Sequence, residues 1–193
     1  MKIKLPLLTI VSILFLFTFC KKNDNSVPTP QQNVENEIIT TVKILYRNIS
    51  DSSKVITATF KDPDGTGGIP YTIFDTIKLF PNEMYDVEIV LLDETKNPSV
   101  LISEEVEELG DQHQFFFTPS ADLDMHISYS DSDVNGVPIG LSSHVMTGKA
   151  STTKNGKLKV QLKHQGTEKP KSGGGNPAIG STDIEIDFPV TIQ

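Results

Sequence analysis

The sequence predicts an all-β chain, an antiparallel β-sandwich of immunoglobulin-like architecture with one short helix near residues 103–110. Three observations carry that expectation. Apolar and polar residues alternate with period 2 in segment after segment beyond Glu37, the pattern of strands with one buried face. Turn dipeptides punctuate these segments at intervals of roughly 8–12 residues, as they do in sandwiches. Only one stretch has the capping and spacing of a helix. The chain has one Cys and no Trp, so the disulfide and tryptophan that mark immunoglobulin domains are missing and the expectation concerns architecture alone.

Taken in order, Ile38, Thr40, Val42, Ile44 and Tyr46 share one face of a first strand, Ile56, Ala58 and Phe60 continue the pattern, and Tyr85, Val87, Ile89 and Leu91 repeat it. Met125, Ile127 and Tyr129 alternate with Asp124, His126 and Ser128; Leu158, Val160 and Leu162 alternate with Lys157, Lys159, Gln161 and Lys163. In the last strand Ile184, Ile186, Phe188, Val190 and Ile192 face inward, while Asp183, Glu185, Asp187, Pro189 and Thr191 face outward. Pro189 cannot donate to a ladder, which puts that strand at a sheet edge or bends it there. Asp64-Gly65, Asn97-Pro98, Asn135-Gly136 and Asn155-Gly156 signal turns, and the last reads as a tight hairpin joining two strands. The helix candidate runs from Ser103, a capping residue, through an acidic first turn to Leu109, with Gly110 to end it. Residues 166–181, GTEKPKSGGGNPAIGS, read as an exposed loop before the final strand, either a binding loop or a tolerated insertion.

The N-terminus reads as an address. Lys2 and Lys4 precede an apolar run of about 15 residues from Leu5 to Phe19, short of the roughly 20 that a bilayer span needs. The run closes on Phe17-Thr18-Phe19-Cys20, followed by Lys21-Lys22-Asn23-Asp24, and this resembles the relaxed lipoprotein signal of Bacteroidota. The resemblance implies cleavage before Cys20, acylation of its thiol and amino group, and a stable membrane anchor, since several acyl chains hold where one does not. Lys21 stands where an aspartate would retain the protein at the inner membrane, so the resemblance favours the outer membrane, on its periplasmic or its surface face. The alternative is an uncleaved signal anchor in which Cys20 is an ordinary apolar residue. On the lipoprotein reading residues 1–19 are the signal peptide, 20–36 the lipidated cysteine and a flexible tether without aromatic residues, and 37–193 the β-sandwich domain.

The whole chain carries 17 Lys plus Arg against 25 Asp plus Glu, a net charge of −8. Removing Lys2 and Lys4 with the signal leaves 15 bases against 25 acids, or −10 on the exported part. That balance excludes nucleic acid, whose phosphates need a basic surface, and electrostatic docking on anionic lipid.

Two acidic turns are candidate cation sites: Asp62 and Asp64 in one, Asp131, Asp133 and Asn135 in the other, where the run to Gly136 fits the first half of a calcium-loop pattern. The glutamate that should close such a cage is replaced by Ile73 and by Ser142. Asp, Asn and Gly are also ordinary hairpin residues, so the competing reading is two plain turns. If the turns meet, four carboxylates could share calcium or another divalent cation; no other cofactor is expected. His113, His126, His144 and His164 show no zinc-type spacing. His113 lies two residues from Asp111 and His126 two from Asp124, each half of a surface metal site or simply solvated, while His164 keeps the register of Leu158, Val160 and Leu162 and reads as an end-of-core residue. Glu104, Glu105, Glu107, Glu108 and Asp111, with His113 beside them, form a solvated acidic face or a docking surface for a basic partner. With the single thiol assigned to lipid, no G-x-S-x-G elbow and no phosphate loop, no enzyme is expected, and the remaining catalytic alternative is a small hydrolase, which would need a cleft with converging carboxylates.

Glu37-Ile38-Ile39-Thr40-Thr41-Val42, Lys61-Asp62-Pro63-Asp64-Gly65, Leu91-Leu92-Asp93-Glu94-Thr95, Asp111-Gln112-His113-Gln114-Phe115-Phe116 and Pro189-Val190-Thr191-Ile192, taken together, resemble a family of small Bacteroidota lipoproteins of unknown function. Members sometimes bear the label of a type 1 periplasmic binding fold, which the strand-dominated pattern contradicts, because that fold alternates strands and helices. The resemblance implies a non-catalytic accessory role in the cell envelope, beside a TonB-dependent outer-membrane transporter. It brings no catalytic residue with it.

Overall fold

The computed structural model describes residues 37–65, 68–151 and 156–193, all within one compact unit, Glu35–Gln193. The expected signal peptide, Cys20 and the expected tether fall on residues 1–36, outside the described residues. Among these residues no helix is long and apolar enough to cross a membrane.

The chain forms β1 (Thr41–Asn48), β2 (Val55–Lys61), β3 (Ile73–Phe74), β4 (Ile77–Leu79), β5 (Met84–Asp93), β6 (Val100–Leu101), α1 (Ile102–Glu108), β7 (His113–Pro119), β8 (Met125–Tyr129), β9 (Ser142–Thr147), β10 (Gly156–His164) and β11 (Ser181–Ile192). One sheet has the order β3-β2-β1-β5-β9-β8, with β6 also on β5; the other has the order β4-β11-β10-β7. The expected all-β sandwich is therefore present. One pair, β4 with β11, is parallel and the others are antiparallel.

Alternation explains which faces meet. Val42, Ile44 and Tyr46 of β1 and Tyr85, Val87, Ile89 and Leu91 of β5 are buried, and they share one core with Leu158, Val160 and Leu162 of β10 and Ile184, Ile186, Phe188, Val190 and Ile192 of β11. Each fully buried aliphatic side chain of this kind contributes roughly 1.5–3 kcal/mol of transfer free energy. Tyr46 and Tyr85 meet edge to face, with ring centroids 6.1 Å apart.

Several expectations need correction. The two strands around Asn155-Gly156 do not form a hairpin: β9 pairs with β5 and β8 in the first sheet, whereas β10 pairs with β7 and β11 in the second, so the connection crosses between sheets. Asn155 itself lies outside the described residues. Helix α1 starts one residue early, at Ile102, and Ser103 does not cap it; the Ser103 hydroxyl instead accepts the N–H of Leu91 at 3.4 Å, tying the helix to β5. Ile102 and Val106, at i and i+4, form its buried stripe. Pro189 sits where β11 is paired on one side only, since β4 begins its contact at Val190. That satisfies the edge requirement of a residue without an N–H.

The last correction bears on function. Leu162 pairs with Ile184, but Lys163 pairs with Thr182, so Asp183 is the extra residue of a β-bulge. A bulge breaks the strict alternation, and the Asp183 side chain is wholly buried instead of facing outward.

Candidate functional sites

The acidic segments converge in part. An open groove of about 720 Å³ runs between α1 and the 131–134 turn. Glu104, Glu107 and Glu108 share one helix face at i, i+3 and i+4 and line one wall together with Asp111. Asp131 and Asp133 line the other, and Leu101, Ile139 and Leu141 add an apolar lining. Glu105 is exposed and does not line the groove. Among the described residues no cationic side chain pairs with Glu104, Glu107, Glu108 or Asp111.

The turn carboxylates are already engaged by the chain. Asp131 accepts the N–H groups of Gly140 at 2.8 Å and Ser142 at 2.9 Å, one on each oxygen. Asp133 Oδ1 accepts from the backbone of Asn135 at 2.8 Å and Val137 at 2.9 Å, and Gly136, at φ 78°, closes the turn onto the Asp133 carbonyl. This is the plain-turn arrangement of Asp, Asn and Gly. Asp64 Oδ2 accepts the Ile69 N–H at 3.0 Å, and burial together with the neighbouring Asp64 carboxyl pushes Asp62 up. Asp62, Asp64, Asp131 and Asp133 do not gather into a three-ligand group among the described residues.

Lys169 corrects the picture of the 166–181 loop. Its side chain is 1% exposed; Nζ donates to the carbonyls of Gly110 at 2.6 Å and Pro138 at 3.0 Å and lies 3.0 Å from Asp133 Oδ2. Gln114 Nε2 donates to the Gly174 carbonyl at 2.9 Å and Gln165 Nε2 to Asn176 at 2.6 Å. The loop is anchored, and one anchor also braces the groove.

The group that is gathered is His113, His164 and Asp183, each offering a ligand atom within 4.8 Å of the others. Strand pairing creates it. His113 on β7 lies opposite His164 on β10, both in the inward phase set by Phe115 and Leu162, and their rings lie 4.4 Å apart. The bulge on β11 brings in Asp183, and Glu37, just ahead of β1 in the other sheet, closes the group with Oε1 at 3.1 Å from His113 Nε2. The side chains of His113 and Asp183 are fully buried and that of Glu37 is 7% exposed. His113 therefore belongs to the interior and not to the acidic docking face. His126 remains exposed, and its neighbour Asp124 accepts the Lys149 N–H. His144 forms an exposed pair with Asp86 at 2.9 Å.

The electrostatics of the group reflect crowding. Burial works to lower His113, but Glu37, the Leu109 carbonyl and Asp183 outweigh it and hold the imidazole above its ordinary value. Burial and the neighbouring His113 push His164 down. Burial, then the charge of Glu37, raises Asp183 to about 6.

The residues of this group were all visible in the sequence, but nothing in their spacing joined them. The one available signal was that His113 and His164 both keep the inward phase of their strands; the bulge at Asp183 and the return of Glu37 to the opposite sheet leave no period to read. No family model, curated protein or solved structure matches the chain.

Proposed function

We propose that the chain is a lipid-anchored, non-catalytic protein of the cell envelope, held in the outer membrane through acylated Cys20, whose sandwich offers its acidic groove to a cationic segment of a partner protein. The observation that supports this reading is the unpaired carboxylate wall of Glu104, Glu107, Glu108 and Asp111 facing a groove with an apolar lining. Apolar lining supplies burial and the carboxylates supply selection by charge and a fast encounter. The lipoprotein-like signal and the family resemblance point to an envelope protein as that partner, a TonB-dependent transporter being the leading choice.

Crosslinking in intact membranes followed by pull-down of the full lipoprotein tests the reading. The wild-type chain should enrich a particular envelope protein, and the double charge reversal Glu104→Lys with Glu108→Lys should lose it. Equal recovery with both chains, or recovery of abundant porins alone, removes the proposal.

A further inference from the structure

We infer that His113, His164 and Asp183, closed by Glu37, form a site for one divalent transition-metal ion of the zinc class, a site independent of the acidic groove. Four lines of observation converge on it.

The first is unmet polarity. Glu37 Oε2, His113 Nε2, His164 Nδ1 and both oxygens of Asp183 are buried without a hydrogen-bond partner, five such atoms in one place. His113 Nε2 is at ion-pair distance from Glu37 Oε1 but off the line of a hydrogen bond. Buried polar groups are nearly always satisfied, and a cluster of orphans marks a missing ion or water.

The second is charge. Two carboxylates share the interior with two imidazoles, and among the described residues no lysine or arginine reaches ion-pair distance of either carboxylate; Lys163, whose charge acts on Asp183, gives its ammonium to Thr182 Oγ1 at 3.0 Å. With both imidazoles neutral, a dication brings the assembly to zero.

The third is orientation. The contact of 3.1 Å between His113 Nδ1 and the Leu109 carbonyl fixes the tautomer by Nδ1–H donation, leaving the Nε2 lone pair to face the carboxylates. A ring N–H given to a backbone carbonyl is the usual support behind a metal-bound histidine. The fourth is placement: the bulge that delivers Asp183 is a device found beside functional sites.

The donor set selects the ion. Two imidazole nitrogens and two carboxylate oxygens suit zinc and its first-row neighbours; calcium and magnesium prefer oxygen alone, and soft ions prefer thiolate. Zinc bonds near 2.0–2.1 Å imply tetrahedral ligand separations of roughly 3.3 Å. The separations of 3.1 Å from His113 Nε2 to Glu37 and 4.0 Å to Asp183 bracket that value. His113, His164 and Asp183 supply the three gathered ligand atoms, and Glu37 Oε1, 3.1 Å from His113 Nε2, closes the buried setting, so a bound ion would tie the segment entering β1 to three strands of the opposite sheet.

The test uses the full chain in detergent, stripped with chelator and titrated with zinc chloride or cobalt chloride. One equivalent should bind, raise the melting temperature and, for cobalt, give the visible bands of a tetrahedral centre that zinc then bleaches. Asp183→Asn and Glu37→Gln should each weaken binding by at least about ten-fold. These two variants keep side-chain size, so the test stands even if a His113 variant fails to fold. Absence of heat, colour and thermal shift overturns the inference. So does binding that survives both variants unchanged or that Asp62→Asn and Asp131→Asn abolish instead.

Discussion

Two buried ionic groups hang from adjacent carbonyls at one corner of the sandwich, and they are built in opposite ways. Lys169 donates to Gly110 and lies 3.0 Å from Asp133 Oδ2, an ion pair without a hydrogen bond in which one cation faces one anion, and the other Asp133 oxygen is held by two backbone N–H groups. His113 contacts Leu109, one residue earlier, and its partners are two carboxylates and a second histidine, with five buried atoms unanswered. An interior charge persists where the chain supplies its counter-charge and hydrogen bonds. Where two carboxylates crowd one buried imidazole, the balance of charge has to come from outside, as protons or as an ion. The first group is thus a lock within the chain, and the second is a receptor for an ion.

The largest expected effect comes from breaking the lock. Lys169→Met removes the ammonium and leaves an Asp133 carboxylate that is 1% exposed. Breaking a buried pair from one side costs about 3–5 kcal/mol. The urea midpoint should fall accordingly, and Asp133→Asn added to Lys169→Met should recover part of the loss, because the lone charge is then gone. Amide exchange in 170–175 should also accelerate, since that loop is tied down through Lys169. A loss under about 1 kcal/mol would mean that the pair behaves like a surface pair, and the contrast between the two groups would fail.

Acid should open the same lock by a smaller margin. Burial pushes Asp133 up, but the N–H groups of Val137 and Asn135 and the Lys169 ammonium outweigh it and hold the carboxyl below its ordinary value of 3.8. In the unfolded chain the group therefore binds its proton at a higher pH than in the folded one. Its contribution to stability is complete above that ordinary value and is lost as pH falls through the lower folded value. The difference in urea midpoint between wild type and Asp133→Asn should be constant at pH 5–7 and shrink on further acidification. A difference that stays constant down to the acid limit would show that Asp133 is not held low by Lys169.

How much of this could be read from the sequence follows from what period 2 encodes. The inward faces at Val42 to Tyr46, Tyr85 to Leu91, Leu158 to Leu162 and Ile184 to Ile192 were legible because each repeats a local rule. Asp183 was misplaced because a bulge has no period, and the hairpin at Asn155-Gly156 because turn chemistry does not say which sheet the next strand joins. The acidic helix was legible as a surface, and three of its glutamates line the groove. Asp131 and Asp133 resembled half a calcium loop because the same residue types close a turn on themselves. Lys169 and Glu37 carried no signal at all, since their partners lie 31 or more residues away in the chain for the Pro138 and Gly110 carbonyls and on the opposite sheet for His113.

The smallest expected effect is the most discriminating between the two groups. In the chelated protein His164→Leu removes a buried ring nitrogen that has no partner and an imidazole that crowds His113. The inward phase of β10 already holds Leu158 and Leu162, so the replacement fits the pattern of the strand. Replacing an unsatisfied polar group by an apolar one of similar size is close to neutral or stabilising, which sets the expected change within about 1 kcal/mol of zero. With zinc added, the wild-type midpoint should rise and that of His164→Leu should stay in place, because only the wild type gains a ligand that binds the folded state alone. A loss above about 2 kcal/mol in chelator would mean that His164 has a partner within the chain, and that the second group is a lock like the first.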